Sequence, residues 1–299
     1  MNSRGGRRTF LRQAAALAVG GFAAHAQTRI QRRAGVGLRL GLNAYSFNRP
    51  LMAGNMNLGQ VVDYCAEHAI DGLDATGYYF PGYPAVPSDE YVYELKRKAF
   101  VNGVTISGTG VRNNFCLADA GERAAQVQLV KNWTDVARKL GATVIRVFSG
   151  PAAPKGYSFD QVFEWMIPAF RECADYGRQR GVIIGLQHHN DFLKTAEQTI
   201  HVVDAVNSEW FSVVLDIGSL RQGDPYEQIE KLLPYACTWQ IKEEVWYGDK
   251  ATPTDLRRIR RIIDKAGYRG FLPIEALGPD SQAAGTAFLD RVRKDMGLA

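Results

Sequence analysis

The sequence predicts a single α/β domain, a (β/α)8 barrel of the TIM type, and three observations carry this prediction. From residue 38 onward, short apolar runs rich in β-branched residues alternate with longer amphipathic runs. The short runs begin roughly 25 to 40 residues apart, as expected of successive βα units. No linker or low-complexity segment interrupts the series. A doubly wound open sheet is the alternative, but no GxGxxG follows the first strand, which argues against its nucleotide-binding form.

The eight strands are predicted where apolar and β-branched residues run together between turn signals. In chain order they are Leu38–Tyr45, Ile70–Ala75, Val104–Thr109, Thr143–Phe148, Val182–Gln187, Phe211–Asp216, Thr238–Ile241 and Phe271–Glu275. Helices are predicted where apolar residues recur every three to four positions, at Ala124–Leu140, Phe159–Gln179, Glu197–Val206, Tyr226–Leu233 and Leu256–Ala266. A glycine comes between helix and strand in several units, at Gly141, Gly181 and Gly267, and we expect it to end the helix in a left-handed conformation.

The first 26 residues have the order of an export signal. Two arginines at positions 7–8 precede the apolar run 14–24, which is too short to span a bilayer. Residues 24–26 then read Ala-His-Ala, the A-x-A form of a cleavage site. We therefore expect a twin-arginine signal peptide at 1–26 and a periplasmic barrel at 27–299 without a membrane anchor. The alternative is a basic tail on a cytoplasmic protein.

The charge balance argues against nucleic-acid binding. The chain has a net charge of +5, but residues 1–26 hold four arginines and no acid, so their removal lowers the charge by four, to +1. A protein that binds nucleic acid usually has a basic patch. The expected partner is therefore a small molecule, and the sequence predicts no oligomeric state.

Polar and charged residues are concentrated where the last four predicted strands end. In a barrel these ends meet at one rim, and residues two apart on a strand share a face. We expect the active site at this rim. The residues are Gln187, His188 and His189 at the fifth strand, Asp216 at the sixth, Gln240 and Lys242 at the seventh, and Glu275 at the eighth.

These strand ends resemble the xylose-isomerase-like superfamily of sugar isomerases and epimerases, which also includes an AP-endonuclease branch. The resemblance rests on a GLxxH-like segment at 185–189 and on LDIG, IKE and PIE segments at the next three strands. It implies a barrel in which a Glu, an Asp, a His and a Glu at strands five to eight hold a divalent metal. Asp216 and Glu275 match this pattern, but Gln187 stands at the first position and Gln240 at the third.

The resemblance thus implies a site for Mn²⁺, Mg²⁺ or Ca²⁺ at Gln187, Asp216, Gln240 and Glu275. An amide oxygen is a weaker ligand for a hard cation than a carboxylate. His189 lies on the same face as Gln187 and is a further candidate ligand. The alternative is a metal-free site in which the two glutamines hydrogen-bond substrate hydroxyls.

Three of these residues are candidates for catalysis: His189, Lys242 and Glu275. Lys242 is expected either to stabilise an enolate oxygen or, when desolvated, to act as a base. His188 faces the opposite way from His189 and is expected to be structural.

Candidate substrate-binding residues lie at the rim and in the loops beyond it. They are Asn43, Tyr45, Asp74, Arg112 and Trp246. Arg146, within the fourth strand, needs a partner, and Asp74 is the carboxylate that we expect to pair with it.

Three functions are consistent with these residues. The first is a sugar isomerase or epimerase that removes a proton next to the carbonyl of a sugar or keto-sugar, with a metal or Lys242 holding the enolate. The second is a 3-keto-glycoside lyase or hydratase, which forms the same enolate but needs only one proton-transfer group. The third is a non-catalytic periplasmic carbohydrate-binding barrel that has lost two ligands.

Overall fold

Eight parallel strands close into a barrel in this computed structural model, which describes residues 28–33, 37–276 and 281–298. The barrel strands are β1 (Leu38–Asn43), β2 (Gly72–Thr76), β3 (Thr105–Gly110), β4 (Val144–Phe148), β5 (Ile183–Gln187), β6 (Phe211–Asp216), β7 (Ala236–Lys242) and β10 (Gly270–Glu275). Neighbours round the barrel follow chain order, and β10 closes it between β7 and β1. The predicted single-domain TIM barrel is confirmed. The predicted signal peptide, residues 1–26, lies outside the described residues.

Helices connect the strands and form the outer layer. They are α1 (Asn48–Met52), α2 (Leu58–Glu67), α3 (Asp89–Val101), α4 (Ala120–Leu140), α5 (Phe159–Arg180), α6 (Ala196–Val206), α7 (Pro225–Leu232), α8 (Leu256–Ala266) and α9 (Ser281–Met296). None of the helices within the described ranges is long and apolar enough to cross a membrane.

Glycines end three of the helices, as predicted. Gly141 after α4, Gly181 after α5 and Gly267 after α8 have φ values of 82°, 70° and 65°. A residue with a Cβ is strained in this left-handed region, so glycine is the favoured residue there.

Two elements differ from the predicted pattern near the rim. β7 runs to Lys242 instead of ending at Ile241, so this lysine is held by the sheet. After β7 the chain forms an antiparallel hairpin, β8 (Glu244–Tyr247) with β9 (Lys250–Pro253), before α8 begins. Its strands are only four residues long, and their pattern did not indicate a hairpin.

The register of the barrel brings the predicted rim residues side by side. Asp216 on β6 is the Cα partner of Gln240 on β7, and Lys242 is the partner of Glu275 on β10. Because Gln240 and Lys242 are two residues apart, both side chains face the barrel interior. The sheet therefore places an acid beside each of these two residues.

The loop after β2 is packed against α4. Trp133 of α4 is fully buried, and its ring lies 5.4 Å from that of Phe80 and 5.3 Å from that of Tyr83, centroid to centroid. Its indole N–H also donates to the carbonyl oxygen of Pro84 at 2.9 Å. This loop is thereby fixed as one wall at the rim of the barrel.

Candidate active site

Two adjoining cavities open at the carboxyl ends of the strands. The barrel cavity has a volume of about 520 Å³, and its lining includes Tyr45, Tyr78, Arg146, Gln187 and Gln240. The outer cavity, of about 590 Å³, lies beside the β8–β9 hairpin. His189 and Glu275 line both cavities, so the two form one continuous site at the predicted rim.

A hydrogen-bonded cluster of five side chains forms the floor of this site: Gln187, Asp216, Gln240, Lys242 and Glu275. The Gln187 amide nitrogen donates to Asp216 Oδ2 at 2.6 Å and to Gln240 Oε1 at 2.7 Å. Asp216 also accepts from the Gly218 N–H at 3.0 Å and from the Ser219 hydroxyl at 2.8 Å. The three residues predicted from β5, β6 and β7 are thus brought together and hydrogen-bonded to one another.

Lys242 completes the floor. Its Nζ lies 2.7 Å from Glu275 Oε1 and 3.3 Å from Asp216 Oδ2, and its side chain is only 11% exposed. Burial alone disfavours the ammonium, but the two carboxylates outweigh burial and raise the pKa of Lys242 well above its usual value. Lys242 is therefore a cation at neutral pH, which favours its predicted electrostatic role over its predicted role as a base.

Asp216 is ionised for the same reason. Burial by itself raises the pKa of a carboxyl group, but the Lys242 ammonium outweighs burial, and the pKa of Asp216 lies below its usual value. A buried ion pair of this kind is stable only when its hydrogen bonds are satisfied, as they are here.

Gly218 allows Lys242 to reach the two acids. A Cβ at Gly218 would lie 2.6 Å from Lys242 Cδ, which is closer than any side chain tolerates. The glycine of the LDIG segment therefore leaves room for the lysine.

The residues of the floor do not fit a divalent metal as they are arranged. The four positions implied for metal ligands do meet, but the Lys242 ammonium lies between the two carboxylates, and the Gln187 amide donates to both Asp216 and Gln240. Among the described residues no group of three or more His, Cys, Asp or Glu side chains could hold a metal. A divalent cation would have to displace Lys242 and reorient Gln187.

The two histidines after β5 differ in their surroundings. His189 is solvent-accessible where the cavities join, and the Phe148 ring packs edge-on against it with centroids 5.5 Å apart. Partial desolvation lowers the pKa of His189, so the imidazole is neutral at neutral pH. His188 is buried with neither ring nitrogen hydrogen-bonded in the described structure, and burial lowers its pKa to about 4.

The predicted substrate-binding residues divide into two groups. Tyr45 and Arg112 line the barrel cavity, and Trp246 lines the outer cavity, where the Arg221 guanidinium lies 3.9 Å above its ring. Asn43 and Asp74 line neither of these cavities. They are buried behind the floor, where the Asn43 amide donates to Asp74 Oδ2 at 3.2 Å.

Arg146 and Asp74 do not form the expected direct ion pair, although the Arg146 charge partly offsets the effect of burial on the pKa of Asp74. No carboxylate of the described residues lies within 4.0 Å of the Arg146 guanidinium, and its Nη1 donates instead to the Tyr78 hydroxyl at 3.1 Å. β3 passes close to Arg146, where a Cβ at Gly110 would lie 2.7 Å from Arg146 Nη2. The guanidinium is therefore held against the barrel wall and faces the barrel cavity.

Asp191 is a cavity residue that sequence reasoning did not select. It follows Asn190, which has a φ of 54°, and its Oδ1 is buried without a hydrogen-bond partner in the described structure. Burial raises the pKa of Asp191 to about 6. In the sequence, the indication that Asp191 belongs to the site is its place shortly after the end of β5. The positive φ of Asn190 is what turns the chain so that Asp191 lines the barrel cavity.

A family model described as xylose isomerase-like TIM barrel matches residues 62–292. The chain belongs to this family. No curated protein matches the chain.

Several solved structures share the fold. A D-psicose 3-epimerase with D-tagatose from Clostridium cellulolyticum H10 superposes with a TM-score of 0.72 at 18% identity, covering 86% of this chain and 99% of that one. The probable 3-DHS dehydratase AsbF from Bacillus anthracis gives 0.66 at 16% identity, covering 84% and 97%. A xylose isomerase-like TIM barrel protein from Mycobacterium smegmatis in complex with magnesium gives 0.66 at 18%, covering 87% and 98%. At these identities the similarity shows the fold alone.

Proposed function

We propose that this protein is an enzyme that removes a proton next to the carbonyl of a keto-sugar and holds the resulting enolate on Lys242. The observation that carries the proposal is the buried Lys242 ammonium between Asp216 and Glu275, beside a neutral His189. A fixed cation in a largely desolvated site stabilises a developing oxyanion more strongly than the same cation in water.

Lys242 has one hydrogen-bond donor left for the substrate. An ammonium carries three N–H groups, and two are directed to Glu275 and Asp216. The third is available to the carbonyl oxygen of a sugar at the junction of the two cavities. Because the lysine is held by two carboxylates and by β7, it is already oriented when charge develops on that oxygen.

His189 is the proposed base. The C–H bond next to the carbonyl breaks, its proton goes to the neutral imidazole, and its electron pair forms the C=C bond of the enolate, whose oxygen carries the negative charge. Return of the proton from the imidazolium to the neighbouring carbon completes isomerisation. Epimerisation instead takes a proton from water on the opposite face, and His189 then releases the first proton to solvent. Glu275, which lines both cavities, is the second group in reach of the substrate.

Elimination or hydration of a 3-keto-glycoside is the second candidate, and Asp191 is the observation that favours it. Loss of a leaving group from the same enolate requires an acid. With its pKa raised to about 6, Asp191 holds a proton in part at neutral pH and lines the barrel cavity.

We also propose that Lys242 takes the electrostatic role for which a divalent metal was the other candidate. A lysine in the middle of the four positions supplies one positive charge where a metal would supply two. Activity independent of metal is the expected consequence, and activity that is lost in EDTA and restored by Mn²⁺ would contradict it.

Deuterium exchange tests the proposed function. The purified protein is incubated in D2O with D-fructose, D-tagatose, D-psicose and a 3-keto-glucoside, and loss of the C–H signal is followed by NMR. We expect exchange with at least one of them, a loss of at least about a hundredfold in Lys242→Gln, and no change in Lys265→Gln, whose lysine forms only an exposed pair with Glu230. No exchange with any of these ketoses would favour a non-catalytic carbohydrate-binding barrel.

We propose, on the sequence of residues 1–26, that the protein is exported to the periplasm. Replacing both arginines at positions 7–8 by lysines should retain the protein in the cytoplasm. Cell fractionation measures this location. A periplasmic location in that variant, or an uncleaved N-terminus in the exported protein, would contradict the twin-arginine assignment.

A further inference from the structure

The Arg146 guanidinium is a buried cation that no carboxylate of the described residues contacts within 4.0 Å. Burial lowers its pKa, but Tyr78, Asp74 and Glu275 together outweigh burial and raise it. Arg146 is only 3% exposed, and its Nε is buried without a hydrogen-bond acceptor in the described structure. In the described structure the guanidinium donates to the Tyr78 hydroxyl at 3.1 Å. Because burial removes the guanidinium from water, an anion that contacts it directly from the cavity forms a strong charge-assisted hydrogen bond.

A second arginine lies on the other side of the same tyrosine. The Arg112 guanidinium carbon is 4.6 Å from the centroid of the Tyr78 ring, and that of Arg146 is 5.5 Å from it. Arg112 is exposed at the mouth of the barrel cavity, and its backbone N–H donates to the Tyr83 hydroxyl at 2.7 Å. We call Arg112 and Arg146 the arginine pair.

The acids near the barrel cavity make no direct ion pair with the arginine pair in the described structure, and Asp74 and Glu275 act on Arg146 only from beyond contact distance. Glu275 is bound to Lys242, and Asp74, behind the floor, accepts from Asn43. Asp191 lines the same cavity and contacts neither arginine within 4.0 Å in the described structure. The wall formed by the arginine pair is therefore free to bind an anion.

From this geometry we infer that the barrel cavity binds a sugar acid, with the carboxylate of the substrate on the arginine pair. A planar carboxylate matches the fork of N–H donors on a guanidinium. The sugar ring then extends from the arginine pair towards Gln187 and Gln240, whose amides suit hydroxyl groups, and brings its carbonyl to the floor. This inference deepens the proposed function, because it names the class of keto-sugar that the same site takes.

A carboxylate fits this wall better than a phosphate. Phosphate sites in barrels rely on the backbone N–H groups of glycine-rich loops and helix N-termini. Here the loop after β4 continues from Gly150 into Pro151, which has no N–H to donate, and α5 begins only at Phe159. The polar groups of the wall are side chains of the arginine pair and of Tyr78.

Binding measurements separate this inference from the proposed chemistry. Calorimetric titration of the full chain with D-glucuronate, D-galacturonate, D-glucose, D-galactose and D-glucose 6-phosphate compares sugars that differ mainly at carbon 6. We expect each uronate to bind at least about tenfold more tightly than its neutral counterpart, the effect of a charge-assisted bidentate contact. The deuterium exchange experiment is therefore repeated with the two uronates. Binding of the uronates without exchange in them or in the ketoses would support this inference and contradict the proposed function.

Variants of the arginine pair test which residues recognise the carboxylate. Arg146→Met and Arg112→Met should each lose the preference for uronates at least in part, whereas Arg138→Met, an exposed position at the end of α4, should keep it. Melting temperatures measured without ligand show whether each variant remains folded, and the affinity ratio of uronate to neutral sugar then reports recognition of the carboxylate alone. Arg112→Met, at an exposed position, keeps the binding test available if Arg146→Met fails to fold.

Three results would overturn the inference. They are equal affinity for D-glucuronate and D-glucose, tighter binding of the 6-phosphate than of either uronate, and an unchanged preference for uronates in both variants of the arginine pair.

Discussion

Replacing Lys242 by methionine removes the only cation on the floor while keeping a side chain of similar length. The change leaves Asp216 and Glu275 facing each other, and both are almost fully buried. Breaking a buried pair by removing one partner typically lowers the free energy of unfolding by about 3–5 kcal/mol, because the remaining charge is uncompensated. We expect a loss of this size at pH 7.5.

The loss should shrink as the pH falls. In the wild type the pKa of Asp216 lies below its usual value, so its contribution is present above the unfolded pKa of 3.8 and is lost only as the pH falls through that lowered pKa. In Lys242→Met only burial remains, and burial raises the pKa of the fully buried Asp74 to about 6. With its pKa raised by burial, Asp216 takes up a proton in the variant as the pH falls. The variant should therefore regain on the order of 1–2 kcal/mol, relative to the wild type, between pH 7.5 and 4.5.

Urea denaturation of both proteins at the two pH values measures this difference. Lys265→Met serves as the matched control, because its exposed pair with Glu230 should contribute less than about 1 kcal/mol at either pH.

Lys242→Ala adds a second measurement. Without the ammonium, the four oxygen-bearing side chains of the floor are open to a cation. Mn²⁺ should therefore bind this variant more tightly than the wild type, as measured by electron paramagnetic resonance.

Two outcomes would refute the reasoning. One is a Lys242→Met variant whose loss of stability is the same at pH 4.5 as at 7.5. The other is a wild type that binds Mn²⁺ as tightly as Lys242→Ala, because the ammonium and the metal cannot occupy one place.

Three further predictions follow from the geometry of the site. Gly218→Ala puts a Cβ 2.6 Å from Lys242 Cδ, which shifts the cation without removing its charge. This variant should lower kcat at least about tenfold with little change in KM. An unchanged kcat would show that the position of Lys242 is not critical. Deuterium exchange activity should fall as the pH drops through the pKa of His189, which lies below 6.5. His189→Gln should be inactive at every pH, and an active variant with the wild-type pH profile would exclude His189 as the base. Asp74 holds its proton more tightly when folded, with a pKa of about 6 against 3.8, so its contribution to stability falls as the pH rises through this window. Asp74→Asn should therefore gain up to about 3 kcal/mol relative to the wild type between pH 3.5 and 7.5, measured by urea denaturation, and a constant difference would argue against a buried ionised Asp74.

The unpredicted parts of the site share a physical cause. The hairpin β8–β9 is too short to show a periodic pattern, and it decides where Trp246 lies. Asp191 enters the cavity because Asn190 adopts a positive φ, which its residue type permits but does not require. Arg146 was expected to meet Asp74, but its guanidinium reaches the Tyr78 hydroxyl in the loop after β2 instead. Each outcome depends on contacts between segments that are distant in sequence.

The sequence by itself determined the barrel and the position of the site. Alternating apolar periodicities and the glycines after helices specify βα units, because backbone hydrogen bonds and burial act over short stretches of chain. It also determined that Gln187, Asp216, Gln240 and Glu275 come from the ends of four successive barrel strands. Only the tertiary structure decided what lies between them. Closure of the barrel pairs Lys242 with Glu275 across β7 and β10, and Gly218 leaves the space through which the ammonium reaches Asp216. The charge at the centre of the site is therefore set by packing among three strands that no local pattern links.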